Sequence, residues 1–224
     1  MLLSGHNDRG DTLVEVLFAT AVFSLAAVLA YSMMNQGLAT IERSLEMTLV
    51  RQEMDGQASA LRFLNASYVA AYRPYAVSTD YPSGTPAREW ANMVDSIVTT
   101  GNHDVTNFGL SASNTCPNPP KGSFITNPRT AKFIYPSDFS GAWKSPDTFA
   151  QLVYDASDNI EAKDGIKGIW IEAVRKKVND TNQKGVGYID FNIRACWDSP
   201  GQKTPVILGT IVRLYGPDDR NVYN

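Results

Sequence analysis

The sequence predicts an α+β protein in which one long N-terminal helix packs on a C-terminal antiparallel β-sheet. Three observations predict it. Residues Val16–Met34 form a 19-residue run without charge, Gly or Pro. Beyond it, apolar residues recur at three- and four-residue intervals as far as Tyr68. Between Tyr188 and Trp197 the interval becomes two, the period of a strand with one buried face.

As a helix the uncharged run is roughly 28 Å long, near the thickness of a bilayer's hydrocarbon core. The mean hydropathy of −0.22 averages this run against a polar remainder. Glu15 stands just ahead of the run, between Val14 and Val16. A carboxylate within lipid costs about 2–3 kcal/mol, less near the membrane edge, so it needs a partner. Three ordinary readings compete: a signal peptide cleaved after Val28-Leu29-Ala30, a single-span anchor, and a buried core helix. Asp11, Glu15 and the length of the run fit the first poorly. Nothing else in the chain looks able to enclose the helix, as the third requires.

The local order of residues suggests a sharper reading. Arg9-Gly10 is followed by Asp11-Thr12-Leu13-Val14-Glu15-Val16-Leu17 and then the apolar run. This resembles the processing signal of type IV prepilins and type II secretion pseudopilins. The resemblance covers about the first quarter of the chain. It implies that a prepilin peptidase cuts between Gly10 and Asp11 and methylates the new amino terminus. Glu15 is then the fifth mature residue. The chain departs from the family pattern at Asp11, where Phe or Met is usual, and in having no Pro between Asp11 and Arg73. If chains pack side by side, the amine of Asp11 neutralises Glu15 of the same or a neighbouring chain. Removing one member of such a buried pair costs about 3–5 kcal/mol, which makes Glu15 a register device for assembly. Asp11 also places a negative charge where a helix dipole favours it. The tripeptide Arg9-Gly10-Asp11 is read as chance, because the expected cleavage splits it.

The helical pattern continues through Leu38, Ile41, Leu45, Leu49, Val50, Met54, Ala58, Leu61, Leu64 and Tyr68, with charged residues between them. One helix from about Thr12 to about Tyr68 is expected, its stripe lying under a sheet. Gly37 and Gly56 each cost about 1 kcal/mol against Ala and are candidate weak points.

From Tyr72 to Ala150 the chain is rich in breakers, holding nine of the twelve prolines. A short helix over Ala87–Val98 is predicted, with Trp90, Met93, Val94 and Ile97 on one face. Strands are predicted at Ile166–Arg175, Val186–Trp197 and Pro205–Tyr215, with Phe133–Tyr135 and Phe149–Tyr154 as possible additions. In the clearest strand, Ile189, Phe191, Ile193, Ala195 and Trp197 should face the helix. Tyr188, Asp190, Asn192 and Arg194 should face solvent. The expected organisation is a leader over residues 1–10, a membrane or filament-core helix over 11–36, and a head over 37–224. Within the head, 37–68 is amphipathic helix, 72–150 irregular and 166–215 sheet. This is also the pilin-like fold that the resemblance implies.

Cys116 and Cys196 are the only cysteines. Outside the cytoplasm an even pair reads as a disulfide, against the alternative of two unrelated buried thiols. No catalytic signature is present, and His103 is the only His after the expected cleavage, with Asp104 and Ser111 nearby. No catalytic residue, cofactor or metal site is therefore expected. The acidic stretch Asp155–Gly165 has calcium-loop character but lacks the EF-hand Gly and terminal Glu, and is read as a solvated loop. The net charge of −3 excludes a strongly basic nucleic-acid binder. A local contact through Arg175-Lys176-Lys177 stays open, though a solvated hairpin tip is the simpler reading. Asn65-Ala66-Ser67 and Asn179-Asp180-Thr181 match a glycosylation pattern common by chance.

These readings lead to an expectation of a non-enzymatic structural subunit, a minor pilin or pseudopilin, held in the cytoplasmic membrane with its head outside before entering an extracellular or periplasmic filament. Its expected partners are prepilin peptidase, other pilin subunits, the inner-membrane assembly platform and the lipid bilayer. Roles in adhesion or DNA uptake are open. The alternative is a membrane-anchored extracytoplasmic binding domain that does not polymerise.

Overall fold

The computed structural model describes residues 11–74, 76–100, 115–135, 148–161, 165–175, 187–199 and 201–217, leaving aside the side chains of 11, 12, 98–100 and 175. The chain divides into two compact units, residues 1–45 and 46–224.

The helix α1 spans Asp11–Ala71 and is continuous through both Gly37 and Gly56. In the first unit its described side chains are exposed apart from the half-buried Arg43. These include Leu38, Ile41 and Leu45, which were expected beneath the sheet. Periodicity put them on the right face, but no described residue in this unit covers that face.

In the second unit the stripe behaves as expected. Val50, Met54, Ala58, Leu61, Leu64 and Tyr68 are buried and join one core with Ile189, Phe191, Ile193, Ala195 and Trp197. The period of 3.6 on the helix thus meets the period of two on the strand. Helix α2 spans Pro86–Thr100 and contributes Trp90, Met93, Val94 and Ile97 to the same core. Thr85 caps its start, its hydroxyl oxygen accepting from the Arg88 amide at 3.3 Å, and Pro86 takes the first helical position. The rings of Trp90 and Phe191 lie 5.5 Å apart between centroids.

Short strands β1 (Ile125–Asn127) and β2 (Lys132–Ile134) form one antiparallel ladder, and β3 (Gln151–Leu152) and β4 (Ile166–Lys167) another. The main sheet is antiparallel, with β5 (Ile169–Arg175), β6 (Tyr188–Trp197) and β7 (Val206–Tyr215) in sequential order. The architecture is α+β, as the sequence predicts.

Two strand expectations change. Ile166–Arg175 is two strands, because Gly168 adopts φ +63° and turns the chain between partners. Residues before it pair with β3, and those after it pair with β6. The edge of β5 is occupied at Ile171, which exchanges backbone hydrogen bonds with Phe124 at 2.7 and 3.0 Å.

The second change concerns the face of β6 expected to meet solvent. Asn192 and Arg194 are buried, at 4% and 5% exposure. Cys196 lies on the same face by strand alternation and is disulfide-bonded to Cys116. Cys116 and Ile207 pack there against Trp170 and Cys196. The bridge therefore fastens a distant segment onto this face, and Arg194 is enclosed with its partner. Towards the start of β6 the expectation is met in part, since Tyr188 and Asp190 are half-buried. There Asp190 pairs with the half-exposed Arg213, whose guanidinium also lies 4.1 Å from the Tyr188 ring centroid.

Candidate functional site

The first unit is an exposed apolar helical surface carrying one carboxylate. Between Asp11 and Glu42 the only charged residue is Glu15. Its neighbours Leu13, Val14, Val16, Leu17 and Phe18 are all exposed, and Phe23 reaches 75% exposure. A helix is suited to an apolar medium because its backbone groups bond internally. Two hydroxyls in the run follow the same logic. Thr20 donates to the Leu17 carbonyl at 2.9 Å, and Ser24 donates to the Thr20 carbonyl at 2.7 Å. Glu15 has no such local solution, since a carboxylate needs donors or a cation. Among the described residues α1 is the one helix long and apolar enough to cross a membrane.

Of the expected processing residues, Gly10 lies outside the described residues, and Asp11 is the first residue of α1. Glu15 follows one helical turn later on the same element.

In the second unit Cys116 and Cys196 form the disulfide read from the sequence, closing a separation of 80 residues. Beside Cys196 on that face is a buried polar cluster the sequence did not reveal. Trp170 donates its indole N–H to Glu172 Oε1 at 2.7 Å, and Arg194 Nε lies 3.3 Å from the same oxygen. Cross-strand pairing of Trp170 with Arg194 and Glu172 with Asn192 builds this arrangement. The signal available was parity: Arg194 and Cys196 are two residues apart in one strand, so they share the face that carries the bridge.

Glu46 joins α1 to the far end of β6. Its Oε2 accepts from Trp197 Nε1 at 3.1 Å and from Ser199 Oγ at 2.7 Å.

Two carboxylates of the acidic stretch, Asp155 and Asp158, are engaged by groups of the protein itself. Asp155 Oδ1 accepts from the amides of Asn159 at 2.9 Å and Ser157 at 2.8 Å. Those backbone donors hold its carboxyl below the usual range. Asp158 pairs with Arg129. Among the described residues no three His, Cys, Asp or Glu side chains come together as a metal site. Residues 162–164 of that stretch lie outside the described set, as do His103, Asp104, Ser111, Lys176, Lys177 and the Asn179–Thr181 pattern. In the other acceptor pattern, Asn65 donates from Nδ2 to the Tyr215 carbonyl at 3.2 Å.

Comparison with protein-family models, curated proteins and solved structures finds no match to this chain.

Proposed function

We propose that this chain is a structural subunit of a type IV pilin-like or type II secretion-like filament, in the manner of a minor pilin or pseudopilin. In this reading prepilin peptidase removes residues 1–10 and exposes the amine of Asp11. The apolar part of α1 waits in the cytoplasmic membrane with the head outside. It then leaves the bilayer to pack against the same segments of other subunits at the assembly platform. The observation that carries the reading is Glu15, the single charge on an otherwise uncharged, exposed stretch of helix, five residues after Gly10. An isolated carboxylate in an apolar bundle is costly without a cation, and a new amino terminus one turn away supplies one. The architecture of an extended helix and an antiparallel sheet supports the same reading.

The test is the amino terminus of the protein taken from native membranes. A chain beginning at Asp11 is expected. Tyr31 as first residue means ordinary signal cleavage, and Met1 means a plain anchor; either outcome rejects the proposal. A second arm replaces Glu15 with Leu. Filament entry should be blocked or slowed while membrane insertion is kept, and normal assembly of Glu15→Leu would defeat the pairing argument.

A further inference from the structure

A cleft of about 450 Å³ opens in the second unit between α1 and the chain around β1–β2 and β3. Its apolar wall comes from Leu49, Pro128, Phe149 and Leu152. Its charged groups are Glu53 and Arg129. The Arg129 guanidinium pairs with Asp158 and lies 4.0 Å from the Tyr154 ring centroid. The Glu53 carboxylate feels the same Arg129 charge, which works against the effect of its burial. Counting Glu53, Asp158 and Arg129, the local charge sums to one negative. Gln151 also lines the cleft and donates its amide N–H to Thr148 Oγ1, which leaves its carbonyl oxygen to accept.

Gly56 also lines the cleft, one turn along α1 from Glu53 and Gln52. A Cβ at Gly56 would meet only Pro128 Cγ, at 3.9 Å. An alanine therefore fits, and would favour the helix. A longer side chain there would enter the cleft.

We propose that this cleft binds an alkylammonium group, with the ammonium at Glu53 and the alkyl stem along Leu49, Phe149 and Leu152. An ammonium offers three donors and one positive charge. It matches a carboxylate that shares its one neighbouring cation, Arg129, with Asp158, together with the Gln151 amide oxygen and a net charge of one negative over these three charged groups. An anion would meet Glu53 and find Arg129 already engaged. The chemistry is shared by a free amine and by a lysine side chain on another protein. The inference stands apart from the filament reading.

The test uses the full-length, isotope-labelled chain in detergent micelles, titrated with n-pentylammonium, with Nα-acetyl-lysine methylamide and with pentanoate. Saturable shifts at Leu49, Gly56 and Leu152 are expected with the cations and not with pentanoate. Tighter binding of pentylammonium points to a free amine, and of the lysine derivative to a protein side chain; both uphold the site. The Glu53 carboxyl, which burial holds above its ordinary range, should titrate at lower pH once a cation is bound. Glu53→Gln should weaken cation binding about tenfold or more, since the charge-assisted bond is lost. Gly56→Leu should abolish it while leaving Glu53 in place and the helical circular dichroism intact. Equal response to pentanoate, unchanged binding by either variant, or no saturable shift with either cation would overturn the proposal.

Discussion

The side chain of Gln57, on α1, pairs with the backbone of Thr126, in β1, much as a neighbouring strand would. Gln57 Nε2 donates to the Thr126 carbonyl at 2.7 Å, and the Thr126 amide donates to Gln57 Oε1 at 2.8 Å. The Thr126 hydroxyl donates to the same oxygen at 2.6 Å, and both residues are fully buried. A helix thereby satisfies the edge of a short strand that has only β2 on its other side.

Replacing Gln57 with Leu should cost about 3 kcal/mol, because buried donors and an acceptor on Thr126 lose their partner. Gln57→Glu provides a sharper check. Its carboxylate can accept but not donate, so destabilisation should be greatest at neutral pH. Acidification restores an O–H donor, and part of the loss should be recovered. Thermal unfolding followed by tryptophan near-ultraviolet circular dichroism, at neutral and acidic pH, measures both.

Glu172→Ala should lower stability by about 3–5 kcal/mol, since it removes one member of the buried Glu172–Arg194 pair. Replacing both partners, Glu172→Leu with Arg194→Met, should cost less than that single change. It still removes the bond from the Trp170 indole to Glu172, so a residual loss of about 1–3 kcal/mol is expected. Denaturant unfolding of the three variants tests the order. A double variant as unstable as Glu172→Ala would contradict it.

Reduction of the Cys116–Cys196 bridge should lower stability by at most about 4–5 kcal/mol on chain-entropy grounds. It should also loosen the cover over the second face of the sheet. Acrylamide quenching of Trp170, with the other tryptophans replaced by Phe, should rise on reduction. Mass spectrometry with and without reductant should find a peptide joining Cys116 and Cys196. Free thiols would remove the basis for both expectations.

Two groups give opposite pH dependences. The Asp155 carboxyl is held low by backbone donors from Asn159 and Ser157. Its contribution is present above the ordinary carboxylate range and is lost as pH falls through the lowered value. Burial pushes the Tyr154 phenol up to about 12, with Glu53 adding to the rise and Arg129 opposing it. Its contribution is complete below the ordinary value of 10.0 and is lost as pH rises towards about 12. Carbon-13 titration of the two side chains should show these displacements, and Asp155→Asn should remove the acid-side response.

Which residues share a face is already legible in the sequence. Helix and strand periods are local geometry, so Val50, Met54, Ala58 and Leu61 could be aligned, and Ile189, Phe191, Ile193 and Ala195 likewise. It also exposed Glu15, because a lone charge beside an uncharged run needs no fold to be conspicuous. What covers each face was decided by the tertiary structure. Leu38, Ile41 and Leu45 continue the same stripe as Val50 yet lie exposed. Arg194 continues the polar side of β6 yet is buried, on the face where Cys196 is bonded to Cys116, 80 residues before it. The Glu53 cleft likewise joins residues far apart in the chain. Periodicity gives the direction of a side chain; only contacts between distant segments set what it meets there.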